Sequence, residues 1–162
     1  MNYTVIVPFY NEEKNISSFN NGLIDNLKKI SNSNRNFEII YIDDGSKDNT
    51  FNELKKLDSD AFETTVIKHR TNLSQSAALN TGIGNSKYEN LIIMDGDLQN
   101  DPDDLSNMIT EYEKGTDMII GWRKNRKDNF LTKTIPSVVA NFIVRIFSKS
   151  KIHDHGCAFK IL

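Results

Sequence analysis

A chain of 162 residues is long enough for one complete core and too short for two ordinary domains. Hydrophobic residues at 38% and charged residues at 26%, with only three Pro and eight Gly, exclude disordered, collagen-like and linker-dominated chains. The net charge of -2 conceals a division: residues 1–122 carry 11 Lys and Arg against 20 Asp and Glu, and residues 123–162 carry 9 against 2, so an acidic body is joined to a basic tail that suits an anionic partner.

Tyr3 to Val7 is a β-branched run ended by Pro8 and predicts a buried strand. Ile16, Phe19, Leu23, Leu27 and Ile30 recur at helical spacing and predict an amphipathic helix. Phe37 to Ile42 reads as a second strand, stopped by Asp43-Asp44-Gly45-Ser46. A weaker helical pattern runs through Phe51, Leu54 and Leu57, with Ser46 or Asp48 as its N-cap. Thr64 to Ile67 predicts a third strand, Ser76 to Ile83 a helix, Asn90 to Met94 a fourth strand, and Met118 to Ile120 a fifth. Pro102 stands where a helix carrying Leu105, Met108 and Ile109 can begin. Strands alternating with helices, each strand a near-continuous apolar run, indicate an α/β sandwich with a mainly parallel sheet flanked by helices.

Ligands gather at the carboxyl ends of such strands, and three polar clusters fall there: Pro8-Phe-Tyr-Asn-Glu12, Asp43-Asp44-Gly-Ser46 and Asp95-Gly-Asp-Leu-Gln99. In extended geometry Asp95 and Asp97 project to one side, two hard oxygen ligands suited to Mg2+ or Mn2+, with Gln99 adding a carbonyl oxygen. The alternative is a polar turn capping the next helix. Asp43 and Asp44 are either turn chemistry or acceptors for a nucleobase imide or ribose hydroxyl. No G-x-G-x-x-G follows the first strand and no G-x-x-x-x-G-K-[ST] occurs, which disfavours a nicotinamide enzyme and a P-loop nucleotidase.

The single cysteine, Cys157, excludes an intrachain disulfide and predicts a reducing, cytoplasmic compartment. Met1 to Tyr10 lacks a signal peptide's basic opening, and the longest apolar stretch, Val138 to Phe147, is broken by Asn141 and Arg145, so no span is predicted. His153 and His155 lack an evident third ligand, and Trp122 reads as packing. Phe130 to Phe147 presents a wide apolar face beside Arg123, Lys124, Arg126, Lys127 and Lys133: an interfacial amphipathic helix with a phosphate-gripping cluster, or equally a core-facing helix.

Taken in order, Val5-Ile-Val-Pro-Phe-Tyr-Asn-Glu-Glu13, Ile42-Asp-Asp-Gly-Ser46, Asp95-Gly-Asp-Leu-Gln-Asn-Asp-Pro102, Gly121-Trp-Arg123 and Asp154-His-Gly-Cys-Ala-Phe-Lys160 resemble the family 2 glycosyltransferases, most of all their polyprenol-phosphate branch, which includes dolichol-phosphate mannose synthase. The resemblance covers essentially the whole chain and implies a GT-A-type nucleotide-binding sandwich, residues 1–122 binding the nucleotide sugar and residues 123–162 forming a basic part near acceptor and membrane. It implies that Pro8, Tyr10 and Glu12 line the nucleotide pocket and that Asp44, with Asp43, contacts base and ribose. Asp95, Asp97 and Gln99 would hold the metal bridging the diphosphate, with Asp97 and Arg123 as the catalytic residues. Arg123, Arg126, Lys133 and Ser137 would receive the acceptor phosphate, although Lys133 stands where the family's clamp has Arg and gives up its bidentate fork. Asn72 to Gly82 is similar to the family's Asn-x-Gly-x-x-x-Ala helix start, with Ser74 where Gly is usual.

The implied reaction is an inverting, metal-dependent transfer of sugar from a UDP- or GDP-sugar to a polyprenyl phosphate. Relatives that glycosylate sugar hydroxyls place a Glu-Asp pair as base near Asp154-His-Gly-Cys157, and this chain has none there. A phosphate monoester is already ionised at neutral pH and needs no strong base, which favours the lipid-phosphate acceptor. The alternatives are a transferase acting on a saccharide hydroxyl and a non-catalytic nucleotide-binding module. Attachment to the cytoplasmic face of the membrane is expected and nucleic acid is not; self-association stays open. The apolar ending Phe159-Lys-Ile-Leu162 suggests truncation of a longer chain.

Overall fold

The computed structural model describes residues 1–32, 34–57, 61–98, 104–121 and 157–162. β1 (Asn2–Phe9) and β2 (Asn36–Asp43) are the expected apolar runs, each with a nearly unbroken sequence of buried residues. Burial on both faces follows from their central place. β3 (Glu63–Lys68) lies outside β2, and β4 (Asn90–Ile93) lies on the other side of β1. All three of these pairings are parallel. Two further strands, β5 (Ile119–Ile120) and β6 (Lys160–Ile161), complete the order β3-β2-β1-β4-β6-β5.

β6 has no counterpart in the sequence expectations. It runs antiparallel between β4 and β5, with Ile161 opposite both Ile92 and Ile119. Leu91 and Leu162 exchange backbone hydrogen bonds of 2.7 and 3.0 Å. The apolar ending of the sequence is therefore a sheet strand, with Phe159 and Ile161 in the core. The mainly parallel α/β architecture holds around it.

Helices cover both faces. On one face α1 (Ile16–Ile30) buries Ile16, Phe19, Leu23, Leu27 and Ile30, the stripe read from the sequence. Leu54 of α2 (Thr50–Lys55) and Leu105, Met108 and Ile109 of α4 (Asp104–Tyr112) join the same core cluster. α3 (Gln75–Gly84) packs against the other face through Ala78, which meets Ile6, Ile40 and Ile42. The expected start of α4 at Pro102 lies outside the described residues. α2 corrects one expectation. Its N-cap is Asn49, so Ser46 lies too far before the first turn to cap it, and the Ser46 hydroxyl accepts the Asn11 N–H instead. Asp48 does take up an N-terminal donor, accepting the Thr50 N–H at 3.0 Å and the Thr50 hydroxyl at 2.6 Å.

The connectivity positions the site. From β1 the chain steps outward through β2 to β3, and α3 then carries it back to β4 on the opposite side of β1. A gap opens between the carboxyl ends of β1 and β4 at this reversal, where open α/β sheets bind ligands.

Candidate donor-binding site

The β1–β4 ladder ends at Ile6 and Ile93, with one further bond from Met94 N–H to the Ile6 carbonyl. Pro8 stands just past that point. Phe9 turns its carbonyl to β2, where the Asp44 N–H donates at 2.9 Å, so alternation points the imide side of Pro8 into the gap. A residue without an N–H therefore forfeits no ladder bond. Phe9 itself is buried edge-on against Phe19 and Tyr41. The next residues form the rim. Asn11 donates its N–H to Ser46 Oγ and accepts the Lys47 N–H, both at 2.9 Å. Glu12 N–H donates to Thr50 Oγ1 at 2.9 Å, and Glu13 N–H donates to Asp48 Oδ2 at 3.2 Å. Burial alone would raise the Asp48 carboxyl, but donors from Thr50 and Glu13 outweigh it and hold the group below its ordinary value.

The two carboxylates ending β2 have different duties. Asp43 is fully buried; its Oδ1 accepts the Ser46 N–H, while Oδ2 accepts no hydrogen bond and has Lys68 Nζ at 3.9 Å. Asp44 is nearly as buried and heavily engaged: Oδ1 accepts from His69 Nδ1 at 2.8 Å and Leu73 N–H at 3.0 Å, and Oδ2 accepts from Ser74 N–H at 3.0 Å. The other His69 nitrogen, Nε2, shares a hydrogen bond of 2.9 Å with Thr81 Oγ1. Gly45 makes this possible. Its φ is +70°, and a Cβ there would lie 2.3 Å from the Thr71 carbonyl carbon.

After β4, Asp95-Gly96-Asp97 closes the third side. A Cβ on Gly96 would meet the Phe9 ring at 2.1 Å, so glycine lets this turn lie flat on the ring. Asp95 Oδ1 accepts from Gln75 Nε2 at 2.6 Å.

These segments enclose a cavity of about 300 Å³. Of the residues singled out in the sequence, Pro8, Tyr10, Glu12, Asp44, Asp95 and Asp97 line it, and Asp43 does not. Phe9, Asn72, Ser74, Gln75 and Gly96 line it as well. Ser74 stands out in the sequence as replacing the usual Gly, whereas Gln75 has no individual signal beyond the similarity of the Asn72–Gly82 stretch. Among the described residues, the non-glycine residues with positive φ are Asn11, Ser74 and Leu98, each on this wall or next to a residue that is. Such strain concentrates at ligand sites. Gln99, Trp122, Arg123, Arg126, Lys133, Ser137, His153 and His155 lie outside the described residues.

The cavity wall carries four carboxyl side chains, Glu12, Asp44, Asp95 and Asp97, and among the described residues lining it there is no Lys or Arg. No group of three or more His, Cys, Asp or Glu able to hold a metal is found among the described residues. Two carboxylates on one wall nevertheless fit Mg2+ or Mn2+, which keep waters and take further oxygens from substrate phosphates. Like charges repel, so such an anionic wall disfavours a phosphorylated ligand unless positive charge lies between them.

Residues 4–162 match the Glycosyl transferase family 2 profile, and the chain belongs to that family. It is 36% identical over 162 residues to dodecaprenyl-phosphate galacturonate synthase of Rhizobium johnstonii, covering 98% of this chain and 46% of that protein. Over 159 residues it is 31% identical to undecaprenyl-phosphate 4-deoxy-4-formamido-L-arabinose transferase of Pseudomonas fluorescens, covering 97% and 45%. The chain thus spans about half the length of the curated relatives it matches. Among solved structures, a mannosyltransferase from Pyrobaculum calidifontis in complex with GDP-Man and Mn2+ superposes with a TM-score of 0.54 at 25% identity, covering 66% of this chain and 31% of that one. A mycobacterial protein superposes with a TM-score of 0.70 at 16% identity over 99% of this chain and 52% of that one, a likeness of fold. The sheet and its flanking helices are the GT-A fold of glycosyltransferases.

Proposed function

We propose that this chain is the donor-binding part of an enzyme that transfers a sugar, with inversion, from a nucleoside diphosphate sugar to a polyprenyl phosphate. The observation that carries the reading is the convergence of Asp95, Asp97 and the Pro8–Glu12 rim on one cavity at the switch point between β1 and β4. Relatives named for transfer to dodecaprenyl and undecaprenyl phosphates support the acceptor class, and a neighbour holding GDP-Man with Mn2+ supports the donor class and the metal.

In this reading Pro8, Tyr10 and Glu12 receive the nucleoside, and Asp95 and Asp97, with Gln99, hold Mg2+ or Mn2+. Bound there, the cation supplies neutralisation of charge on the diphosphate. Asp43 and Asp44 serve the nucleoside differently: Asp44 shapes the wall by holding the backbone of residues 73 and 74, and Asp43 stabilises the turn that follows. An acceptor phosphate oxygen attacks the anomeric carbon from the face opposite the diphosphate; the new C–O bond forms as the old one breaks, and the nucleoside diphosphate leaves with the bonding pair. No proton need be removed, because a phosphate monoester is ionised at neutral pH. Arg123, Arg126, Lys133 and Ser137 are assigned to the phosphates of leaving group and acceptor. Among the described residues no helix is long and apolar enough to cross a membrane, and the basic 123–162 segment is assigned to the cytoplasmic membrane surface where the acceptor resides.

The test is a transfer assay with radiolabelled UDP- and GDP-sugars, comparing undecaprenyl phosphate with an oligosaccharide acceptor. Metal-dependent label in the lipid phase is expected. Label in the oligosaccharide alone would overturn the acceptor assignment.

A further inference from the structure

The second and third acidic clusters are joined by one short segment, residues 69 to 75. Asp44 fastens it at both ends, taking the His69 ring at one and the Leu73 and Ser74 N–H groups at the other. Between them, the backbone at Thr71 and Asn72 lies directly on Gly45. The segment thus enters α3 at a fixed place. Gln75, the first residue of α3, then spans to Asp95 Oδ1 at 2.6 Å.

From this chain of contacts we infer that Gln75 is a positioning residue: its side-chain amide sets the rotamer of the Asp95 carboxylate, so that a divalent cation meets an oriented ligand. The inference rests on the reading that Asp95 and Asp97 form the cation site. A Gln suits the task because it offers N–H donors to the carboxylate without adding charge beside it. The backbone just before Gln75 is held where three donors converge on the Asp44 carboxylate. Partners that orient metal ligands in this way commonly govern affinity by an order of magnitude or more.

The experiment is an electron paramagnetic resonance titration of Mn2+ in saturating UDP, with a parallel series in GDP. Wild type is compared with Gln75→Ala and with Gln75→Met, which keeps the length and drops the donor. Thermal unfolding is recorded on each. Both variants are expected to weaken Mn2+ binding by about tenfold, with unfolding temperatures close to wild type because Gln75 is exposed. Mn2+ affinity unchanged or tighter in the variants, with normal binding in wild type, overturns the positioning role alone. Weakened binding accompanied by a matching loss of stability also overturns it, since a general structural role would then suffice. A folded wild type that binds no Mn2+ with either nucleotide overturns the reading beneath it as well.

Discussion

Asp44 and His69, 2.8 Å apart and both largely shielded from solvent, form a strut between the end of β2 and the segment leading into α3. The same carboxylate takes two backbone N–H groups, so its removal takes the shared acceptor from the His69 ring and from two part-buried N–H groups. Hydrogen bonds to a charged group contribute about 1.5–3 kcal/mol each. Asp44→Ala is therefore expected to lower unfolding stability by about 3 kcal/mol or more in a urea titration, and His69→Ala by a smaller amount, about 1–2 kcal/mol. An unchanged midpoint for Asp44→Ala would show that the carboxylate serves a ligand and not the fold.

Ser74 holds φ of 94° and ψ of 154°, a conformation that suits glycine and strains any residue with a Cβ. Replacing it by glycine removes that strain, while glycine's greater freedom in the unfolded chain offsets part of the gain. Ser74→Gly is expected to raise stability by about 1 kcal/mol, read as a higher urea midpoint. A destabilised variant would mean that the hydroxyl contributes more than the strain costs.

Gly96 answers to a different constraint, the Phe9 ring beneath it. Gly96→Ala forces a methyl group into the ring's place, and overpacking of this kind costs about 1–3 kcal/mol. The displaced turn carries Asp95 and Asp97, so nucleotide affinity should fall together with the unfolding temperature. Full affinity in Gly96→Ala would show that the turn can move without cost to the site.

At the opposite end of the sheet, Arg35 donates to Glu113 through Nε at 2.8 Å and through its second nitrogen, and Tyr3 OH donates to the same carboxylate at 3.0 Å. The Arg35 guanidinium holds the Glu113 carboxyl below the usual glutamate range; burial opposes it, and the Tyr3 hydroxyl adds a lesser contribution in the same direction as Arg35. A depressed folded-state value means that the unfolded chain binds the proton more readily. The stabilisation is thus fully present above the ordinary glutamate value and fades as pH falls through the lower folded value. Glu113→Gln should be less stable than wild type at pH 7, and the gap should narrow as pH drops toward 3. A gap of constant size from pH 7 to 3 would contradict this.

The sequence made the parallel core legible because β1, β2 and α1 carry their own signals: continuous apolar runs rich in β-branched residues, and an apolar stripe at helical spacing. The three polar clusters were legible because strand ends announce themselves as breaks in apolar runs. β6 was not, since a two-residue strand is created by partners about 40 and 70 positions away and has no local pattern. Neither His69 nor Gln75 could be singled out, because each acquires its role from a carboxylate 20 or more positions distant. Asp44 was seen as part of the site, but not that its oxygens would be taken by the protein's own backbone, which depends on where the 71–74 segment crosses Gly45.

Asp95 and Asp97 are assigned as a cation-dependent nucleotide site. The most direct measurement is calorimetric titration of UDP and GDP, with and without Mn2+, into the wild type and into Asp97→Asn. One nucleotide is expected to bind wild type only with Mn2+, and Asp97→Asn, still folded, is expected to lose that binding. Equal binding with and without Mn2+, or undiminished binding in Asp97→Asn, would contradict the assignment.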